Sequence, residues 1–141
     1  MVAEVSVDQA TGIITVTRIF TSQDSGPVSN PNGIRNQMEG GALQGMSRAL
    51  FEEVKWRFGA NVITSTDWAS YPVYQWGMPV PAIETVLLSP SDVPQRGAGE
   101  CTITLVASAI GNAVFDATGV RLRQAPFTPA RVLAALASRG S

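Results

Sequence analysis

The sequence predicts one α+β domain over residues 1–141, with an antiparallel or mixed sheet (hairpin, long helix, second strand pair) backed by helices. Three observations predict it. β-branched residues gather in two short runs near the N-terminus, on either side of a turn-forming segment. A long stretch opening at Asn30-Pro31 carries apolar residues at helical spacing. Two further β-rich runs are followed by apolar helical stretches, with no repeat, low-complexity tract or linker between them.

Residues 2–20 form the expected hairpin: Val2, Val5 and Val7 on one arm, Ile13, Ile14, Val16 and Ile19 on the other, and Asp8 to Gly12 supplying the turn. Thr21 to Asn30, rich in Ser, Asp, Gly and Pro, reads as a loop. Asn30 is placed to cap a helix with Pro31 in its first turn, where the missing N–H costs nothing. That helix runs to about Val54, because Ile34, Met38, Ala42, Met46, Ala49 and Leu50 share one face. Phe58 to Thr66 and Ile83 to Leu88 read as strands. The aromatic and proline-rich stretch between them, Asp67 to Pro81, reads as an ordered loop, and Ser89 to Gly99 as a second loop. Thr102 to Ala117 is apolar on nearly all sides and is expected to be a buried helix, with Gly119 suited to its C-terminal end. Thr128-Pro129 opens a short last helix through Leu133 and Leu136.

Composition excludes several functions. At 45% hydrophobic and 15% charged residues the chain is globular rather than disordered. So little charge on a small domain points to a surface that meets another protein. A formal charge of −1 and the lack of a basic run interleaved with aromatics argue against nucleic acid. Cys101 is the sole cysteine and there is no histidine, which rules out a Ser–His–Asp triad, a Cys–His pair and the common zinc sites within these residues. No apolar run reaches the ~18 residues needed to span a bilayer, and Met1 to Glu4 has no signal-peptide character.

Two segments carry candidate chemistry. The long helix contains Gly40, Gly41 and Gly45, each costing about 1 kcal/mol against alanine, so something must favour them. Gln37, Gly41, Gln44 and Arg48 fall on one face. Two amides flanking a bare glycine can hydrogen-bond the edge of a heterocycle, since each donates and accepts. Close packing of another helix, with the glutamines merely exposed, is the commoner use of such glycines. The second segment is Gly97-Ala98-Gly99-Glu100, whose glycines permit tight turns and positive φ. Glu100, at the entrance of the apolar helix, is either a capping carboxylate held by the helix dipole or a base presented at a cleft. On the residues alone, capping is the commoner role. Cys101, Asp24, Asp67 and Asp92 read as structural, and Trp68, Tyr71, Tyr74 and Trp76 as a loop packed on its own core or a surface for a pocket or partner.

Four stretches, "QDSGPVSNPNGIRNQMEGGALQGMSRALFEEV", "VITSTDWASYPV", "GAGE" and "AIGNAVFDATGVRLRQAPFTPARVLAAL", occur in the order and spacing of one family and cover nearly the whole chain. In them the chain resembles the C-terminal part of the molybdopterin-binding subunit of the xanthine oxidase and aldehyde oxidase family, in the branch of the isoquinoline 1-oxidoreductase β subunit. The resemblance implies a molybdopterin-binding-domain-like fold and a molybdenum-dependent oxidoreductase acting on an aldehyde or N-heteroaromatic substrate. It implies that Glu100, matching the glutamate of the family's Gly-x-Gly-Glu motif with Gly97 and Gly99, is the general base beside the molybdenum. It implies that Gln37, matching the family's Gln-x-Glu-Gly motif, contacts the pterin, with Gly40 and Gly41 letting the helix approach it. The metal is held by the cofactor, so no protein metal ligand is expected. The implied partners are the remainder of the molybdenum subunit, an iron–sulfur electron-transfer subunit and a small-molecule substrate, in the cytoplasm or periplasm of a bacterium.

Some positions depart from the family pattern. Ser25 stands where cysteine is frequent, Cys101 where a small residue is usual, and Gln95 and Arg96 where proline and an apolar residue are frequent. Family subunits are several times longer, so by resemblance this chain forms part of a metal site and works with the rest of the subunit. It is then an excised domain, a split subunit or a remnant. The alternative is a catalytically inactive docking or assembly module derived from the same fold. An unrelated carboxylate enzyme ranks last, because Glu100 has no well-spaced acidic partner.

Overall fold

A computed structural model describes residues 1–59 and 61–140. The elements run β1 (Val2–Val7), β2 (Ile14–Asp24), α1 (Pro31–Leu50), β3 (Trp56–Arg57), β4 (Val62–Ile63), β5 (Ala82–Leu88), α2 (Ile103–Thr118) and α3 (Pro129–Ala137), closing in a 3₁₀ turn over Ser138–Gly140. The sheet is mixed, in the order β1-β2-β5, with β1 antiparallel and β5 parallel to β2. α1 and α2 pack on one of its faces, and the core lies between, centred on Ile19, Ala42, Met46, Val106, Ile110 and Val114.

The hairpin turns where expected. Asp8 Oδ1 accepts from Ala10 N at 2.8 Å and Thr11 N at 3.2 Å, and Gly12 takes the left-handed φ of 75° that the reversal requires. Hydrogen bonds from the Thr11 hydroxyl and these two amides hold the Asp8 carboxyl below the usual carboxylate range. In β2 the inward residues are Ile14 and Val16, then Ile19 and Thr21, a change of phase. Its cause is a bulge: Glu4 pairs with Arg18 and Val5 with Val16, leaving Thr17 unpaired in the ladder. The Thr17 hydroxyl donates instead to the Glu4 carbonyl at 3.2 Å.

α1 starts at its expected cap, with Asn30 Oδ1 accepting from Gly33 N at 2.9 Å. It stops at Leu50, short of Val54. Continuation would need the Ala49 carbonyl for residue 53, but that carbonyl accepts Phe127 N at 2.6 Å. Glu53 itself turns away to pair with Arg131 of α3. The next expectation is corrected more substantially. Phe58 to Thr66, of which Ala60 lies outside the described residues, does not form one strand and does not pair with Ile83 to Leu88. Gly59 and Asn61 take positive φ, so the chain reverses there into the two-residue ladder of β3 and β4. β5 pairs with the far end of β2, from Arg18↔Ala82 to Asp24↔Leu88. This extends β2 through four residues that the composition of Thr21 to Asn30 marked as loop.

α2 is capped at its C-terminal end by Gly119 at φ 70°, and α3 opens with Thr128 Oγ1 accepting from Arg131 N at 3.4 Å. α2 is not buried all round. Thr102, Val106, Ile110, Val114 and Thr118 make one i, i+4 stripe against β1 and α1, while Leu105 and Phe115 on other faces are exposed. Among the described residues no helix is long and apolar enough to cross a membrane.

The α1–α2 crossing explains Gly41 and Gly45 but not Gly40. A Cβ at Gly45 would lie 2.6 Å from Val106 Cγ2, and one at Gly41 would lie 3.2 Å from Thr102 Cβ. A Cβ at Gly40 would meet nothing within 4 Å. Opposite outcomes follow on chemical denaturation. Gly45→Ala forces α1 and α2 apart and destabilises the fold by roughly 1–3 kcal/mol. Gly40→Ala raises stability by about 1 kcal/mol through helix propensity. Asn30→Ala, which removes the cap of α1, lowers stability by about 1 kcal/mol in the same measurement.

Candidate functional site

Because β2 and β5 run parallel, the loops that follow them leave the sheet at the same end. The first leads into α1 and the second into α2, and the opening turn of α2 settles against the middle of α1, with Thr102 at Gly41 and Val106 at Gly45. The carboxyl ends of parallel strands are where α/β sheets form ligand crevices. A cavity of about 450 Å³ opens between α1 and the start of α2, lined by Gln37, Gly40, Gly41, Gln44, Gly99, Glu100 and Ile103. The four residues from α1 recur at helical spacing and share one face. Gly99 and Glu100 come from the turn just before α2.

Gln37, Gln44 and Glu100 are exposed side chains at this cavity. The Gln37 Nε2 donates to the Gly99 carbonyl at 2.9 Å, which ties α1 to the Gly-Ala-Gly-Glu segment. Its second N–H and its Oε1 are in no other hydrogen bond among the described residues. The cavity therefore offers two amides with both donors and acceptors, one carboxylate and a glycine surface free of side chains. This is a donor and acceptor set suited to a flat polar ring system.

Glu100 does not cap α2. The N-cap is Thr102, two residues later, and the Glu100 carboxylate accepts no hydrogen bond among the described residues. Neither Gly97 nor Gly99 takes a positive φ, and a Cβ at either would meet nothing within 4 Å. The conformational reason expected for these two glycines is thus absent, and what they leave is open space beside Glu100. Earlier in the same loop the backbone is pinned. Arg96 N donates to the Ser25 carbonyl at 2.9 Å, and Gly26, at φ 70°, lies so close to Pro94 that a Cβ would sit 2.6 Å from the Pro94 oxygen. Ser25 is buried, and its hydroxyl accepts Gln23 Nε2 at 2.9 Å. Two of the positions that depart from the family pattern, Ser25 and Arg96, are therefore in direct backbone contact.

Of the residues singled out from the sequence, the structure gathers Gln37, Gly40, Gly41, Gly99 and Glu100 around one cavity, and Gly97 is not among its lining residues. Gly41 has two faces. It lines the cavity, yet its missing side chain makes room for Thr102 of the neighbouring helix rather than for a ligand. Ile103 was not anticipated as a lining residue; its place three positions after Glu100, at the start of the apolar stretch, was the available signal. Met38 and Thr102, packed directly beneath the site, were also missed as a pair. The aromatic loop divides: Tyr71 bonds Glu52 at 3.0 Å, and Tyr74 bonds the Met78 carbonyl at 3.1 Å, its amide held by buried Ser47 at 2.8 Å. Desolvation and the neighbouring Glu52 push the Tyr71 phenol above its usual range. Trp68 and Trp76 point into solvent, the latter fully. Asp67 caps its own turn through Ser70, whose hydroxyl holds the carboxyl below its usual range.

The chain is similar to known proteins along most of its length. The molybdopterin cofactor-binding domain family matches residues 1–76. A subunit of the nicotinate dehydrogenase of Pseudomonas putida is 41% identical over 99% of this chain, and the β subunit of isoquinoline 1-oxidoreductase of Brevundimonas diminuta is 34% identical over 92%. The chain spans 12% and 16% of the length of these two relatives. Among solved structures, quinoline 2-oxidoreductase of Pseudomonas putida superposes with a TM-score of 0.84 at 28% identity, covering 94% of this chain and 18% of that one. The aldehyde oxidoreductase of Desulfovibrio desulfuricans gives 0.81 at 30% identity, covering 94% and 15%. This chain belongs to the molybdopterin cofactor-binding domain family and corresponds to part of the molybdenum-binding subunit of the xanthine-oxidase-type hydroxylases.

Proposed function

We propose that this chain supplies part of the molybdopterin pocket and the general base, Glu100, of a molybdenum hydroxylase that oxidises an aldehyde or N-heteroaromatic substrate. The observation that carries the reading is the convergence of Gln37, Gly40, Gly41, Gly99 and Glu100 on one cavity between α1 and the start of α2. The names of the relatives agree in chemistry, since nicotinate, isoquinoline and quinoline are electron-poor N-heteroaromatics and the other enzyme oxidises aldehydes.

The residues present fit the cofactor. The Gln37 and Gln44 amides would hold the polar edge of a pterin, and the open surface at Gly40 would leave room for it. Gly99 leaves the approach to Glu100 unobstructed; Gly97, two residues upstream, is equally open and keeps the loop free of side chains. When bound, the molybdenum cofactor supplies the two-electron oxidation. Glu100 accepts the proton that hydroxylation releases, a role open to a carboxylate with no competing hydrogen bond. The reading includes as partners the remainder of the molybdenum subunit, which completes the pocket, and an iron–sulfur subunit that accepts the electrons.

The test is Glu100→Gln in the assembled enzyme. The variant is nearly isosteric and the side chain is exposed, so folding and cofactor content are expected to stay at parental levels. Turnover is expected to fall by about 10²–10⁴-fold, the usual contribution of a general base. Near-parental turnover with full cofactor content would overturn the assignment and favour the docking-module alternative.

A further inference from the structure

Glu100 is held on both sides by adjacent residues of one helix. On its N-terminal side the Gly99 carbonyl accepts Gln37 Nε2 at 2.9 Å. On its C-terminal side the Thr102 hydroxyl contacts Met38 Sδ at 2.7 Å. Met38 is 1% exposed and Thr102 2%, so water does not compete for the second contact. Among the described residues, the segment between Arg96, fastened to Ser25, and Thr102 has no other hydrogen bond to α1.

The use made of Thr102 is unusual. A threonine at a helix N-cap ordinarily turns its hydroxyl to an N–H of its own first turn. Thr102 is the N-cap of α2, its backbone is helical at φ −71° and ψ −40°, and its side chain makes no capping bond. The hydroxyl is directed across to α1 instead. The Thr102 side chain occupies the space left bare at Gly41, where a Cβ on the glycine would come 3.2 Å from Thr102 Cβ.

We propose that Gln37, Met38 and Thr102 are positioning residues that fix the backbone of Glu100 against α1. This rests on the reading of Glu100 as the base. A general base acts only within hydrogen-bond reach of the proton it takes, and a carboxylate on an open glycine loop would otherwise sample many positions. The two tethers, one residue apart on α1, bracket Glu100 and Cys101 and leave the side chain of Glu100 to project into the cavity. Gln37 thereby serves two purposes, with one N–H given to the loop and the rest of its amide left for the cofactor.

The test uses Gln37→Met, Thr102→Val and Thr102→Ser. Backbone order parameters of Glu100 and Cys101, measured by ¹⁵N relaxation in the full chain, read the tethers without turnover. Gln37→Met and Thr102→Val are each expected to lower them from about 0.85 toward about 0.6, and Thr102→Ser, which keeps the hydroxyl, to leave them at the parental value. Gln37 is exposed, so its variant folds even if Thr102→Val does not. Thr102 does not line the cavity, so an effect of Thr102→Val on catalysis is not a lost ligand contact. In the assembled enzyme that variant is expected to lower kcat by about 10²-fold, the effect of a misplaced catalytic group, with KM nearly unchanged and Thr102→Ser restoring the rate. Parental order parameters in both Gln37→Met and Thr102→Val would overturn the proposal, as would a loosened loop with parental kcat. Retained turnover in Glu100→Gln would instead sink the base assignment while the order parameters still reported on the tethers, so the two failures are distinguishable.

Discussion

The parallel pairing of β5 with the far half of β2 is the constraint on which the site depends. An antiparallel partner in that position would send its following loop to the opposite end of the sheet, away from α1. With the register running from Arg18↔Ala82 to Asp24↔Leu88, both strands finish together. Each is followed by an irregular stretch and then by a helix, so both loops leave the same end of the sheet and the start of α2 comes to lie against the middle of α1. The clasp between Ser25 and Arg96 joins the loops directly, and the cavity forms between the helices a turn further on.

The second constraint is the closeness of α1 and α2. Two helices of ordinary composition pack with their axes about 8–10 Å apart, and glycine at the contact lets the neighbouring side chains reach the backbone. Val106 settles over Gly45 and Thr102 over Gly41. The i, i+4 stripe of α2, from Thr102 through Val106, Ile110 and Val114, continues this contact into the core. Close approach keeps Met38 within reach of Thr102, and hence α1 within reach of the turn that carries Glu100.

Much of this was legible in the sequence. Capping chemistry located the starts of α1 and α3, and Gly119 located the end of α2, because these signals act through neighbours in the chain. Element order pointed to an antiparallel or mixed sheet backed by helices, and the mixed form is the one present. What was not legible is non-local. Nothing near Thr21 reveals that a strand from residue 82 onward will extend β2. Nothing near Leu50 reveals that Phe127 will claim the Ala49 carbonyl. The uniform apolarity of Thr102 to Ala117 suggested burial on every side, but exposure depends on what packs there, and β1 and α1 cover one stripe. The site residues were named through motif resemblance. Their spacing alone could not separate packing glycines from open ones, since Gly40 and Gly41 are adjacent yet face different surroundings.

That adjacency divides the cavity into a part that can drift and a part that cannot. Gly41 is held by two demands at once, the bulk of Thr102 behind it and the cavity in front. Any side chain there would push α2 away before it altered what the cavity accepts. Gly40 and Gln44 answer to no such packing requirement, and an exchange at either changes shape or polarity while the helix pair stays in place. In this chain the rim of the cavity can therefore change without disturbing the fold, while its floor at Gly41 is fixed by the cohesion of the two helices.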